Sequence, residues 1–319
     1  MRKIVSINRN LDEGNKRMIS ETAEKCGFTA FFYTSRAEAG QDLAEAEIVY
    51  SGNPKVLEDG KNMKWLCSST AGVDQFIKAG ILDRPDILFT NAAGAYGVTI
   101  SEHIVMVALM MMRRMPEYME AMRQKGWLRQ LEQKSLCRSQ VLILGTGSIG
   151  ATTAKRIRGF DPGRIVGVSR SGRQAPEFDE VHAVEELDSL LPDADLVICC
   201  MPDTPETRGM ISAERIALMK DGAYFVNVGR GSAVDHPALI KALDSGKLAG
   251  AALDVYTKEP IPADEPIRDA KNLILTPHIS GDDTLAETRR LNASMFCEDI
   301  ENYAAGRPLA YSVDRKHGY

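Results

Sequence analysis

Short apolar runs recur along this chain, each closed by a polar or glycine-rich break, with stretches of helical spacing between them. Before position 100 the runs are Lys3 to Ile7, Thr29 to Tyr33, Ile48 to Tyr50, Trp65 to Ser68 and Leu88 to Thr90. Helical patterns alternate with them, for instance Asn15 to Cys26. This alternation predicts a parallel sheet with helical crossovers. A long helical region opens at Thr99 or Ser101 and runs to Met112, then continues through Met115, Met119 and Met122. Pro116 suits the first turn of a second helix. A methionine stripe of this kind marks core or subunit interface rather than a cofactor box.

Six further strands are expected: Val141 to Leu144, Ile165 to Val168, Leu196 to Cys199, Tyr224 to Val228, Gly250 to Leu253 and Leu273 to Leu275. Six is the number of a dinucleotide-binding sheet. Glu287 to Tyr303 reads as a long amphipathic helix, and the polar tail after it is too short for a domain of its own. The pattern predicts an interrupted architecture, with residues 1–98 and 282–319 forming one domain around a central nucleotide domain of residues 99–281.

The break after Val141 to Leu144 is Gly145, Thr146, Gly147, Ser148, Ile149, Gly150, and a helical stretch follows. Between a strand and a helix, G-x-G-x-x-G is a mechanical device. Its glycines permit a tight turn, a close backbone approach to a pyrophosphate, and close helix–strand packing. The anion then rests on free N–H groups at a helix N-terminus.

Composition narrows the function without naming it. The 319 residues are 44% hydrophobic and 26% charged, with net charge −5 and no basic block, so a phosphate-backbone partner is not expected. No apolar run approaches the ~18 residues of a membrane span. Cys26, Cys67, Cys137, Cys199, Cys200 and Cys297 show neither C-x-x-C nor metal spacing. Reduced thiols in a cytoplasmic protein and no metal site are the expectation.

Three residues at strand ends are candidates for chemistry. Arg230 follows the run Tyr224 to Val228, at the end where open α/β sheets place their ligands. A planar guanidinium there can clasp a carboxylate through paired hydrogen bonds. His278 follows Leu273 to Leu275 and suits acid–base work, since imidazoles ordinarily titrate near neutrality. Glu259 follows Gly250 to Leu253 by a short loop, and a carboxylate beside an imidazole fixes its tautomer and favours its charged form.

In order along the chain stand Ala71-Gly72-Val73-Asp74, Ser101-Glu102-His103, Leu144 to Gly150, Met201 to Gly209, Val226 to Gly231, Ala252-Leu253-Asp254-Val255, Glu259-Pro260 and Thr276-Pro277-His278. Through this ordered set nearly the whole chain resembles the D-isomer-specific 2-hydroxyacid dehydrogenases. The resemblance implies an α/β fold of two doubly wound parallel-sheet domains, a Rossmann NAD(P)-binding domain inserted into a flavodoxin-like substrate domain. It implies that Arg230 orients substrate, His278 gives the proton, and Glu259 supports His278. Ala71, Gly72 and Val73 would offer backbone N–H groups to the substrate carboxylate, although Thr70 stands where the family commonly has glycine. Met201 and Pro202 would flank the nicotinamide ribose, with Thr207 adding a hydroxyl, and Asp254 would accept from the carboxamide. Val228, Gly229 and Gly281 complete the expected cofactor contacts. Tyr96 and Asn53 are further pocket candidates, and His103 reads as structural.

The cofactor can be narrowed from the residues themselves. An NAD-specific fold usually ends its second strand with Asp or Glu on the ribose hydroxyls. Here Ile165 to Val168 is followed by Ser169, Arg170 and Ser171, with Arg173 close behind. Hydroxyls and a guanidinium can bind a 2′-phosphate that a carboxylate would repel. NADPH is therefore expected as the preferred cofactor, with NAD as the alternative. The expected partner is a small 2-keto or 2-hydroxy acid, with glyoxylate or hydroxypyruvate favoured by analogy. Rival readings are the same chemistry on a larger keto acid, of phenylpyruvate or phosphoglycerate type, and a nucleotide-sensing corepressor-like protein. A homodimer through the Met106 to Met122 region is expected from the resemblance.

Overall fold

The structure is a computed structural model that describes residues 1–315. The chain forms two compact units, Met1–Tyr96 with Asp282–Tyr319, and Gly97–Gly281; residues 316–319 of the expected first domain lie outside the described ones.

In the first unit, strands β1 (Arg2–Ile7), β2 (Phe28–Tyr33), β3 (Ile48–Ser51), β4 (Trp65–Cys67) and β5 (Leu88–Thr90) form a parallel sheet in the order β2-β1-β3-β4-β5. Val5, Val49 and Leu66 belong to one core cluster, and Ile4, Ile48, Tyr50 and Trp65 to another. Alternate residues of a strand point to opposite faces, so the sheet is packed on both sides. That is why these strands read as unbroken apolar runs instead of alternating ones.

Helix Ala286–Ala304 belongs to this unit and is less cleanly amphipathic than its sequence predicts. Its buried side mixes Ala293, Phe296, Cys297 and Ile300 with Thr288, Asn292 and Asp299. Asn292 and Asp299 have partners within the unit: Asn292 Nδ2 donates to Ser69 O at 2.6 Å, and Asp299 accepts from Ala310 N at 2.6 Å. A buried polar group with a good hydrogen bond carries little desolvation penalty, and the helix tolerates both. Phe296 stacks on Tyr50 with centroids 4.5 Å apart.

The second unit holds β6 (Gln140–Leu144), β7 (Arg164–Ser169), β8 (Glu180–Ala183), β9 (Leu196–Cys199), β10 (Ala223–Asn227), β11 (Leu248–Leu253) and β12 (Leu273–Leu275). All pair in parallel, in the order β12-β11-β10-β9-β6-β7-β8. The strand order reverses between β6 and β9, which is the topological switch point where such sheets bind their ligand.

The sheet has seven strands where the sequence predicts six. The additional strand is β8, at the sheet edge, in which only Val181 is buried and Glu180 and His182 are half-exposed. One buried residue leaves no apolar run to read.

Helix Gly97–Met112 starts two residues ahead of the expected Thr99 and packs on helix Ser148–Ile157. It stops at Arg114, which takes a left-handed φ of 56°, and helix Met115–Arg123 follows with Pro116 in its first turn. The methionines divide: Met111 and Met112 are core, whereas Met106, Met115, Met119 and Met122 are exposed.

Candidate active site

The glycine-rich turn leaves β6 at the switch point. A Cβ on Gly150 would stand 1.9 Å from Gly145 O, so no larger residue fits there while the turn keeps its shape. Gly147, by contrast, has nothing within 4 Å of where a Cβ would be, and the turn is open on that side. Gly147 caps helix Ser148–Ile157 without any side-chain hydrogen bond. The N–H groups of Gly147, Ser148 and Ile149 meet no acceptor among the described residues. Unsatisfied donors at the first turn of a helix, beside an open backbone, fit a pyrophosphate. Thr146 and Ile149 are half-exposed on the same turn.

At the end of β7, Ser169 is half-exposed and Arg170, Ser171 and Arg173 are exposed. No carboxylate occurs from Ser169 to Arg173. This end of the sheet therefore presents hydroxyls and guanidinium groups without a carboxylate among them.

Three loops at the strand ends of β10, β11 and β12 carry Arg230, Glu259 and His278. After β10, the fully buried Asn227 shapes the turn: its Oδ1 accepts from Gly229 N at 3.0 Å and its Nδ2 donates to Arg230 O at 2.9 Å. Arg230 has extended backbone (φ −140°, ψ 144°) and its guanidinium donates to Gly229 O at 2.8 Å. The next residue must be glycine, because a Cβ on Gly231 would stand 2.0 Å from Tyr256 C. That close approach brings the loops after β10 and β11 together.

Glu259 lies on the β11 loop, and its Oε1 accepts from Tyr256 N at 2.9 Å. Its other oxygen, Oε2, bonds His278 Nδ1 at 2.6 Å. His278 sits after β12 in a left-handed conformation (φ 55°), which bulky residues rarely adopt and which clusters at functional sites. The turn that imposes it is held from below by Asp254. This carboxylate is buried and accepts from Thr276 Oγ1 at 2.6 Å, Ile279 N at 2.9 Å and Ser280 N at 2.9 Å. His103, on helix Gly97–Met112, reaches Thr276 Oγ1 at 3.3 Å, and burial lowers its pKa. Asp254, Thr276 and His103 form a support under the His278 turn, and the side chain of His278 stays about half exposed. Gly281 ends this turn and is half-exposed.

The segment after β9 brings Met201 and Pro202 to the same end of the sheet, beside the buried Val228 and Gly229. Thr207 serves this segment internally: its hydroxyl donates to Pro202 O at 2.6 Å and accepts from Thr204 N at 2.9 Å. The oxygen that accepts from Thr204 N has a second lone pair, so a ribose hydroxyl can still donate to Thr207.

Asp203 has no counterpart in the sequence expectations. It accepts from Nε and Nη2 of Arg208 at 2.8 and 2.9 Å and from Ser232 Oγ at 2.7 Å. The Arg208 bonds, against the opposing effect of burial, hold its pKa down to about 2. Asp203 ties the Met201–Pro202 segment to the Arg230 loop. Aspartate and arginine five apart in an irregular segment give no periodic signal by which sequence reading could have found them.

In the first unit, Ala71, Gly72 and Val73 follow β4, and their N–H groups meet no acceptor among the described residues. The turn is braced by Thr70, whose hydroxyl donates to Gly72 O at 2.9 Å. Tyr96 is a brace too, since its hydroxyl donates to Ser69 O at 2.7 Å and the ring is buried. Asn53 closes a local turn by accepting from Lys55 N at 3.0 Å. Among the described residues no cluster of three or more His, Cys, Asp or Glu side chains could hold a metal ion, and no helix is long and apolar enough to cross a membrane.

A doubly wound sheet with a glycine-rich turn at its switch point, and an Arg, a Glu–His pair and a buried Asp at neighbouring strand ends, defines a nicotinamide-dependent oxidoreductase. Residues 105–280 match the family model described as D-isomer specific 2-hydroxyacid dehydrogenase, NAD binding domain. The chain is 32% identical over 267 residues to glyoxylate/hydroxypyruvate reductase A of Salmonella newport, covering 82% of this chain and 83% of that one. Its structure is similar to a D-isomer specific 2-hydroxyacid dehydrogenase family protein of Aeromonas salmonicida, with TM-score 0.86, 32% identity, and 98% and 99% of the two chains covered. It is similar as well to a D-isomer specific 2-hydroxyacid dehydrogenase of Xanthobacter autotrophicus solved with NADPH and MES, with TM-score 0.84, 28% identity, and 100% and 99% covered. The chain belongs to the D-isomer specific 2-hydroxyacid dehydrogenase family and is an NAD(P)-dependent oxidoreductase.

Proposed function

We propose that the chain reduces a small 2-keto acid, glyoxylate or hydroxypyruvate, to the D-2-hydroxy acid, with NADPH as the preferred cofactor. The observation that carries this reading is the 2.6 Å bond between His278 Nδ1 and Glu259 Oε2. An imidazole fixed through Nδ1 has Nε2 to present to a keto oxygen. Arg230 clasps the substrate carboxylate and polarises the keto group. Bound nicotinamide supplies the hydride to the keto carbon. His278 Nε2 gives its proton to the oxygen, and Glu259 holds the ring as its charge changes. Ala71, Gly72 and Val73 offer N–H groups suited to a carboxylate.

Gly145, Thr146, Gly147, Ser148, Ile149 and Gly150 hold the pyrophosphate, and Ser169, Arg170 and Ser171 the 2′-phosphate. Met201, Pro202, Val228, Gly229 and Gly281 line the nicotinamide half. Asp254 fixes the loop there and has lone-pair capacity left for the carboxamide. The complex of the Xanthobacter relative with NADPH supports the cofactor choice, and the name of the Salmonella relative supports the substrate choice.

The test is cofactor consumption by purified protein with glyoxylate, hydroxypyruvate and phenylpyruvate, each with NADPH and with NADH. Faster turnover of the two small acids with NADPH is expected. Preference for phenylpyruvate would overturn the substrate, preference for NADH the cofactor, and inactivity on a wide keto-acid panel the enzyme reading in favour of a nucleotide sensor.

A homodimer through the Met106–Met122 region belongs to the same reading. Met106, Met115, Met119 and Met122 are exposed along this stretch, and Trp127 and Leu128 are exposed just beyond it, apolar side chains that a subunit contact would cover. Light scattering is expected to return twice the mass of one chain, and the mass of a single chain would contradict it.

A further inference from the structure

We propose that Gln174 is a positioning residue for cofactor specificity: its amide clips the Ser169–Arg173 segment onto the open edge of β8 and so preorders the 2′-phosphate site. The inference rests on the NADPH reading given above.

The segment joining β7 to β8 runs from Arg170 to Asp179 and carries Arg170, Ser171 and Arg173 in its first half. A flexible loop of that length would have to be ordered each time it gripped a phosphate, at a cost in conformational entropy. The structure shows it already ordered, by contacts with β8. Gln174 Nε2 donates to Val181 O at 2.7 Å, and Gln174 Oε1 accepts from Val181 N at 3.0 Å. Val181 lies on the last strand of the sheet, where the outward N–H and C=O groups have no further strand to pair with. The glutamine amide takes the place of that missing strand, one donor and one acceptor in register with one residue.

Two further contacts shape the segment upstream of this clip. Gly172 N donates to Ser169 Oγ at 3.1 Å, closing a turn directly after β7. Gly172 has a left-handed φ of +64°, and a Cβ there would stand 3.0 Å from Ala183 N, so the turn rests on β8. Downstream, the buried Phe178 packs over Gly167, and a Cβ on Gly167 would meet both Phe178 and Thr146 of the glycine-rich turn at 2.9 and 2.6 Å. Between Ser169 and Gln174 only a short, already turned span remains, and it presents the hydroxyls and guanidinium groups. Because Ser169 Oγ accepts from Gly172 N, its own hydrogen is available to a phosphate oxygen.

A preordered loop helps only a ligand that the loop grips. NADH lacks the 2′-phosphate and gains nothing from Arg170 or Arg173, so losing the clip discriminates between the two cofactors. The experiment titrates the full-length wild type, Gln174→Met and Arg170→Ala with NADPH, NADH and adenosine 2′,5′-bisphosphate, following binding by calorimetry. Methionine keeps the bulk of glutamine and removes both hydrogen bonds. For Gln174→Met the dissociation constants of NADPH and the bisphosphate are expected to rise about five- to tenfold, from two lost neutral hydrogen bonds, with that of NADH unchanged. Equal weakening of NADPH and NADH, or no change in either, would overturn the inference. Failure of the underlying reading is separate: the wild type would then bind NADPH no better than NADH, and Arg170→Ala would leave the bisphosphate affinity unchanged.

Discussion

Replacing His278 with asparagine is expected to lower kcat about 10²- to 10⁴-fold, the usual worth of a positioned general acid, while NADPH affinity is unchanged. Asparagine also tolerates the left-handed backbone that His278 adopts at φ 55°, so the turn above Asp254 keeps its form. Ile279 N and Ser280 N still bond Asp254 because those bonds are made by backbone. What is removed is Nε2, while the asparagine Nδ2 can take the place of Nδ1 beside Glu259. Steady-state kinetics with NADPH and a keto acid, beside a binding titration of NADPH, check the split. Retention of more than a tenth of wild-type kcat would show that another group delivers the proton.

Changing Arg230 to lysine is expected to lower kcat/KM about 10²-fold, through loss of charge-assisted hydrogen bonds that a point charge cannot replace. The substitution keeps the positive charge and the aliphatic stem. It removes the planar fork, and with it simultaneous contact with a carboxylate and a keto oxygen. Asn227 holds the backbone on either side of this residue through Gly229 N and Arg230 O, so the loop is not expected to move. The diagnostic comparison is a 2-keto acid against an aldehyde without a carboxylate: the variant loses more activity on the acid, where both contacts are broken, than on the aldehyde, where only the contact with the carbonyl oxygen is. Equal losses on both would mean that Arg230 acts on the keto oxygen or the fold alone.

Much of this molecule was readable from the chain because its strands are buried on both faces. Val141 to Leu144 and Leu196 to Cys199 are continuous apolar runs, and the structure has strands at both. The glycine-rich turn was readable for a related reason, since strand, turn and helix are consecutive in sequence. Edge strand β8 was not, because Glu180 and His182 face outward and only Val181 is buried. The same gap hid the device built on that edge: the role of Gln174 exists only once Val181 is known to be on an open strand.

In the candidate site, legibility follows chain distance. Arg230, Glu259 and His278 stand out through the ordered motifs of the family resemblance, and each follows an apolar run, where ligand-binding loops lie. Their mutual arrangement depends on Gly231 meeting Tyr256 and on Asp254 gathering Thr276, Ile279 and Ser280. No local pattern encodes which loop touches which. Thr207 and Asp203 show the same limit, one hydroxyl turned inward on Pro202 and one carboxylate shared by Arg208 and Ser232.

The most direct measurement of the central claim is the identity and chirality of the product formed from hydroxypyruvate and NADPH by the purified protein, resolved by chiral chromatography. One equivalent of D-glycerate is expected for each NADPH oxidised. L-Glycerate, or NADPH oxidation without glycerate, would contradict it.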